Sequence, residues 1–367
     1  MINKVVFRVD AAIHIGTGHL QRCLTLAHEF FSDGWHVTFA MINFDQNMCN
    51  LVNQHGFKLL LLSVGTSQID PSNEKSWLSR EQIEDAYEFC DCINGEHYDL
   101  CIIDHYSIDY IWQDYVHKII PCLVMIDDLA NRTHRCEILL DQNFFPDYIT
   151  RYDKLIDSST CIPLLGPTYA LLRKEFSLLR NQRLEFIGHS NKSVPTILCN
   201  FGGIGNFRLL KILLEAVRDF KEYNFLIITG KLIDKEFEDL QQISNCGENV
   251  SLLVATNNMA ELMCKADFCL GASGSTVWER FCLGLNSALI AVADNQKDLL
   301  VFLNRKDLID NLGLIQDINS NALRRYFQNL DFRKNLYVTR REKIMSLVDG
   351  QGAQRVYQAI KGYLRKC

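Results

Sequence analysis

The stretch KVVFRVDAAIHIGTGHLQRCLTLA, residues 4–27, decides the fold. It opens with a β-rich apolar run, KVVFRV, that stops at Asp10. A loop containing Gly16 follows, and a helical pattern begins at Gly18-His19 and continues over 19–31. Strand, glycine loop and helix in that order start a parallel α/β unit. The third glycine of a G-x-G-x-x-G dinucleotide fingerprint is missing, because Gln21, Arg22 and Cys23 occupy that part of the chain. A nicotinamide enzyme is therefore set aside.

The same alternation runs outward from this unit. Strands are predicted over 4–9, 36–41, 58–62, 100–104, 123–127 and 138–141, with helices over 19–31 and 80–93 between them. A second series has strands over 196–201, 225–229, 251–254, 268–271 and 288–292. Helices over 208–221, 235–243, 259–265, 276–283 and 296–303 separate these. Two such series predict an α/β protein of two doubly wound, Rossmann-like domains facing a cleft. The division falls between Gly166 and Pro195, where a helix over 169–183 precedes a loop over 188–195. The expected domains are 1–170 and 171–367, with the helical stretch 331–366 at the end of the second packing back on the first. The run FKLLLL, 57–62, reads as a buried strand rather than a membrane-docking patch.

Composition agrees with two ordinary globular domains. The chain has 367 residues, 48% of them apolar and 22% charged, with a net charge of -6. No bulk basic character argues for nucleic acid. No apolar run reaches the roughly 18 residues of a membrane span, and the first residues lack the form of a signal peptide. Fourteen cysteines contain no C-x-x-C pair, and several sit inside apolar runs. They read as reduced, buried thiols of a cytoplasmic protein rather than as disulfides or a zinc site.

Ligands of open parallel sheets bind beyond the carboxyl ends of the strands, so those ends are the candidate sites. After the first strand come Asp10, Gly16, Gly18, His19 and Arg22. The helix's positive end favours a neutral imidazole at His19, the form a general base requires, although a lone histidine there is also an ordinary surface or capping group. Arg22, one turn on, can bind an anion or merely solvate the helix. Asp104-His105-Tyr106 and Asp127-Asp128 end two further strands, and each alone reads equally as a helix cap. In the second half, Asn200-Phe201-Gly202-Gly203 makes a glycine turn, and Gly271-Ala272-Ser273-Gly274-Ser275-Thr276 opens a helix that carries Glu279. Glu279 suits ribose hydroxyls, or it closes a capping box with Ser275 or Thr276. Asn295-Gln296 follows the next strand. Two glycine-rich edges of this kind suit a nucleotide-sugar enzyme.

These pieces together resemble a known family, the UDP-sugar hydrolases of pseudaminic acid biosynthesis, the PseG family, which share the glycosyltransferase B architecture with MurG. The resemblance rests on FRVD and GTGHLQRCLTLA, IIDHY, IDDLANRTHRCEILLDQN, GPTYALLRKEF, the FGG turn, GASGSTVWERFCLG, NQ and DGQGAQRV, in that order. It implies His19 as the catalytic base, Tyr106 beside the reacting sugar, and Arg173 as a substrate contact. It places Gly202, Gly203, Ser273, Ser275, Thr276 and Glu279 on the UDP-binding edge. Asp10, Gly16, Gly18, Arg22, Asn295 and Gln296 complete the expected substrate site. Where the family often reads D-S-S or D-A-S, this chain has Asp10-Ala11-Ala12, so a serine hydroxyl there is lost. The implied reaction is metal-independent, cofactor-free hydrolysis of UDP-2,4-diacetamido-2,4,6-trideoxy-β-L-altropyranose with inversion, by a cytoplasmic monomer that neither binds nucleic acid nor inserts stably in a membrane. The rivals are an inverting UDP-sugar glycosyltransferase, a non-catalytic nucleotide-sugar binder and a hydrolysing sugar 2-epimerase.

Overall fold

A computed structural model describes residues 3–12, 15–189, 194–202, 206–218, 220–230, 234–244, 248–254, 256, 258–331 and 334–366. The chain forms two compact units, Met1–Leu171 with Gln351–Cys367, and Leu172–Gly350. In the first, seven strands are β1 (Lys4–Val9), β2 (His36–Ile42), β3 (Lys58–Leu62), β4 (Leu100–Asp104), β5 (Leu123–Ile126), β6 (Ile138–Asp141) and β7 (Ile162–Leu165). They pair in the order β3-β2-β1-β4-β5-β6-β7, each pair parallel. The second unit holds β8 (Thr196–Asn200), β9 (Asn224–Thr229), β10 (Val250–Val254), β11 (Phe268–Ala272), β12 (Ser287–Ala291) and β13 (Asp310–Leu314). Their order is β10-β9-β8-β11-β12-β13, again parallel throughout.

Central parallel strands are covered on both faces, and β1 shows how the sequence meets that demand. Val5, Phe7 and Val9 face one side, where Leu20, Leu24, Ala27 and Phe30 of the helix Gly18–Ser32 cover them. Val356, Tyr357 and Ile360 of the last helix, Gly352–Leu364, join the same core, which ties the end of the chain to the first unit. Val6 faces the other side, in the core with Phe89 and Trp112. Each such large side chain removed from water contributes about 1.5–3 kcal/mol. In the second unit, Ile197, Cys199, Phe225 and Ile227 lie under Leu209, Leu213 and Leu214 of the helix Phe207–Val217.

Several expectations shift. β7 and β13 are edge strands that the sequence reading passed over. The first contains Pro163, and the second reads DNLGL, with Gly313 at φ +95° and an irregular register against β12. β13 lacks the apolar run of a buried strand, whereas β7, IPLL, is apolar but carries a proline, which is confined to edge positions of a sheet. β3 is likewise an edge, so FKLLLL is only partly covered and Leu61 stays exposed. The helix expected over 169–183 starts at Lys174, after a 3-10 turn at Pro167–Tyr169. The final helical stretch is two helices, Asn335–Leu347 and Gly352–Leu364. Among the described residues, no helix is long and apolar enough to cross a membrane. The described cysteines are free, and all but Cys92 are buried.

Candidate active site

The strand order places a topological switch in each sheet. In the first, β1 lies between β2 and β4, so the chain leaves β1 and β4 toward opposite sides. That is where a crevice opens in such sheets. The register pairs Val9 with Asp104, which puts the start of the His19 helix beside the end of β4.

His19, in the first turn of its helix, brings Nδ1 to 2.6 Å from Asp104 Oδ1. Asp104 also receives Arg22, whose Nε reaches Oδ2 and Nη2 reaches Oδ1, both at 2.6 Å. Burial alone would raise the Asp104 carboxyl, but Arg22 and His19 hold it well below the usual carboxylate range. An ionised carboxylate only accepts, so Nδ1 carries a proton, and in the neutral ring the lone pair falls on Nε2. That is the tautomer a base needs. Arg22 Nη2 lies 3.1 Å from Nδ1, a contact imposed by the shared carboxylate.

The remaining Arg22 nitrogen, Nη1, donates to Asp128 Oδ2 at 2.8 Å, so the guanidinium is engaged on all three nitrogens. Asp128 Oδ1 accepts from the Tyr106 hydroxyl at 2.5 Å. The Tyr106 ring stands edge-on to His19, with centroids 4.5 Å apart, and leans on Trp77. Strand ends β1, β4 and β5 thus bring His19, Arg22, Asp104, Tyr106 and Asp128 into one cluster. Asp104 and Asp128 were legible only as polar strand ends. Asp127 points elsewhere: it meets Arg132 at 2.8 Å and accepts from the Tyr152 hydroxyl at 2.9 Å.

Asp10 does not join the cluster through its carboxylate. That group is fully buried, pairs with Arg8 at 2.8 Å, accepts from the Ile42 amide at 2.7 Å and lies 3.2 Å from His105 Nε2. Arg8 is shared with Asp85, which also takes the Trp112 indole N–H. Gly16 has φ +87°, a left-handed conformation that suits glycine, and Gly18 begins the helix.

In the second unit, β8 and β11 flank the corresponding switch. Asn200 accepts from the Gly202 amide at 3.3 Å, and Gly202 takes φ +106°. Gly203 lies outside the described residues. After β11, Ser273 is buried and its hydroxyl donates to the Gln296 carbonyl at 3.3 Å. Gln296 Oε1 accepts from the Val292 amide, while Asn295 is exposed. Ser275 stands at the N-cap of the helix Thr276–Cys282 without a side-chain cap bond, so the capping box with Glu279 is not formed. Burial pushes the Glu279 carboxyl up to about 7, against the pull of Arg173 and Arg280. Arg173 Nη2 is 4.0 Å from it. Sequence reasoning missed Arg280, whose guanidinium is buried under this turn and donates to the Ala272 carbonyl at 2.5 Å. A Cβ on Gly271 would fall 2.3 Å from Arg280 Nη1, so glycine is required there. Among the described residues, no group of three or more His, Cys, Asp or Glu could hold a metal ion.

No family model matches the chain. It is 24% identical over 303 residues, 83% of its length and 97% of the relative, to the UDP-2,4-diacetamido-2,4,6-trideoxy-beta-L-altropyranose hydrolase of Campylobacter jejuni. It is 25% identical over 195 residues, 52% of its length and 56% of the relative, to the spore coat polysaccharide biosynthesis protein SpsG of Bacillus subtilis. Among solved structures, MurG of Acinetobacter baumannii superposes with a TM-score of 0.68 at 14% identity, covering 98% of this chain and 99% of its own. A UDP-N-acetylglucosamine 2-epimerase, so described, of Listeria monocytogenes superposes with a TM-score of 0.62 at 13% identity, covering 100% and 98%. The resemblance read from the sequence therefore holds: the chain is similar over most of its length to the Campylobacter hydrolase, and its fold is the two-domain glycosyltransferase B architecture.

Proposed function

We propose that the protein hydrolyses UDP-2,4-diacetamido-2,4,6-trideoxy-β-L-altropyranose at its anomeric C–O bond, releasing UDP and the free sugar for pseudaminic acid biosynthesis. The observation that carries this reading is the His19–Asp104 pair, which directs the Nδ1 side of the ring at the carboxylate and so assigns the neutral ring's lone pair to Nε2, with the His19 ring edge-on to Tyr106. Water attacks the anomeric carbon as Nε2 takes its proton. The bond to the UDP oxygen breaks, its electrons leave with UDP, and the configuration inverts. In this reading the first unit holds the sugar and the base. The second holds UDP, with Gly202, Gly203, Ser273, Ser275, Thr276 and Glu279 around it. Arg173, Asn295 and Gln296 complete the substrate contacts, and no step calls on a metal or cofactor. Arg22 and Asp10 act from within, Arg22 by fixing Asp104 and Asp10 by anchoring the end of β1. The inverting transferase remains the second reading, favoured by the likeness to MurG. It uses the same base on an acceptor hydroxyl.

Turnover without acceptor in H₂¹⁸O separates these chemistries. UDP should appear and carry no label, because the water oxygen ends on the sugar. Heavy UDP would mean attack at phosphorus, and no UDP without an added acceptor would mean transfer.

Glu279 gives a pH signature. Ribose hydroxyls that donate to its carboxylate favour the ionised form. Uridine affinity should therefore rise as pH climbs through about 7, where burial has placed this group, and level off above. Uridine is the probe because it has no phosphate to titrate. Glu279→Ala should weaken binding by about 1.5–3 kcal/mol and flatten the pH dependence. Calorimetry that shows an unchanged affinity would remove Glu279 from the nucleotide site.

A further inference from the structure

Tyr106 has its hydroxyl proton committed before any ligand arrives. Asp128 Oδ1 lies 2.5 Å from the phenol oxygen, and Asp128 Oδ2 is held by Arg22 Nη1 at 2.8 Å. Arg22 has only protons to give, so Asp128 is fixed as an acceptor on both oxygens. Burial and the Asp128 charge push the Tyr106 phenol well above its ordinary value, so the proton stays on Tyr106 and points at Asp128. The phenol oxygen is then left with lone pairs only.

Resting on the hydrolase reading, we infer that Asp128 is a positioning residue that sets Tyr106 as a hydrogen-bond acceptor, so that the site selects a sugar presenting an N–H or O–H donor at that point. The diacetamido sugar carries such donors on its amides. A sugar offering only a carbonyl or ether oxygen there meets lone pairs against lone pairs and is rejected.

Asp128→Asn turns this into a sharp test. The introduced amide must face its oxygen to Arg22, because Nη1 can only donate. Its NH₂ then points at the Tyr106 oxygen and donates to it. The Tyr106 proton is released toward the substrate and opposes the substrate's own donor. Donor against donor is worse than a missing bond, because it leaves a buried donor unpaired. Asp128→Asn should therefore cost more than removing the hydroxyl outright.

The experiment measures kcat/KM for UDP release from UDP-2,4-diacetamido-2,4,6-trideoxy-β-L-altropyranose with four full-length proteins. Relative to wild type, Tyr106→Phe should lose roughly three- to tenfold, and Asp128→Asn roughly 10- to 100-fold. The double variant should recover to the level of Tyr106→Phe, a rescue that no general damage to the fold would produce. A double variant worse than Asp128→Asn, or an Asp128→Asn milder than Tyr106→Phe, overturns the inference. If Asp128→Asn does not fold, Asp128→Ala replaces it in the resonance measurement below, since it removes the acceptor that holds the Tyr106 proton. A second readout needs no turnover. In protein labelled with ¹³C at tyrosine Cζ, the Tyr106 resonance, assigned by its loss in Tyr106→Phe, should move in the Asp128 variant. An unmoved resonance overturns the Asp128–Tyr106 link itself. Wild-type protein that releases no UDP from this donor, with the resonance still moving, instead sinks the hydrolase reading and the sugar selection that rests on it.

Discussion

His19→Ala is expected to lower kcat by roughly 10²–10⁴-fold, the usual contribution of a general base. The expectation is specific because the rest of the cluster survives the change. Asp104 keeps both bonds from the Arg22 guanidinium, so no buried charge is stranded when the imidazole goes. The fold should therefore persist, with near-native circular dichroism. Uridine affinity should also stay near wild type, because Glu279 and the turn after β11 belong to the other unit. A variant that retains most of its turnover would take the base role away from His19 and leave water activation to another group.

Asp104→Asn should do more damage, and of two kinds. Every neighbour of this carboxylate is a donor: His19 Nδ1, Arg22 Nε and Nη2, and the Cys23 thiol at 3.5 Å. An amide must turn its NH₂ toward one of them. Breaking a buried ion pair from one side costs about 3–5 kcal/mol. For a unit of this size that corresponds to a fall in Tm of roughly 6–20 °C. Activity should fall separately, by as much as about 10⁴ in kcat, because the tautomer that bares Nε2 is no longer enforced. The acid limb of stability offers an independent check. The carboxyl of Asp104 lies below its ordinary value in the folded protein. Its contribution is therefore complete above about pH 4 and drains away as pH falls further. Asp104→Asn should unfold with a shallower acid dependence than wild type. An unchanged Tm together with an unchanged acid limb would mean that Arg22 and His19 do not depend on this carboxylate.

Much of this cluster was legible from strand ends. The glycine loop after β1 exposed His19 as a candidate because Gly16 and Gly18 interrupt an otherwise apolar pattern at the start of a helix. Tyr106 was legible through its place just after β4 and through the resemblance. The partners were not. Asp127 and Asp128 are adjacent and chemically identical, yet one is fixed by Arg132 and Tyr152 and the other by Arg22 and Tyr106. Strand alternation sends successive side chains to opposite faces, and only the packing on each face says what waits there. Arg22 read from sequence as an anion ligand or as a group solvating its helix, and the two carboxylates that engage it, Asp104 from β4 and Asp128 just past β5, were not legible.

What the sequence determined alone is local. Apolar runs of strand length alternating with amphipathic helices dictate parallel sheets, and glycines and polar residues at strand ends mark where a ligand site can form. The order of those strands within each sheet was decided only in the tertiary structure, where β1 sits beside β4 and β8 beside β11. Sequence neighbours constrain a strand's own conformation, whereas its lateral partner is chosen by long-range burial on both faces of the sheet. That choice carried Asp104 to His19, 85 residues away along the chain, and joined two ordinary polar residues into the hydrogen-bonded pair on which the proposed base role rests.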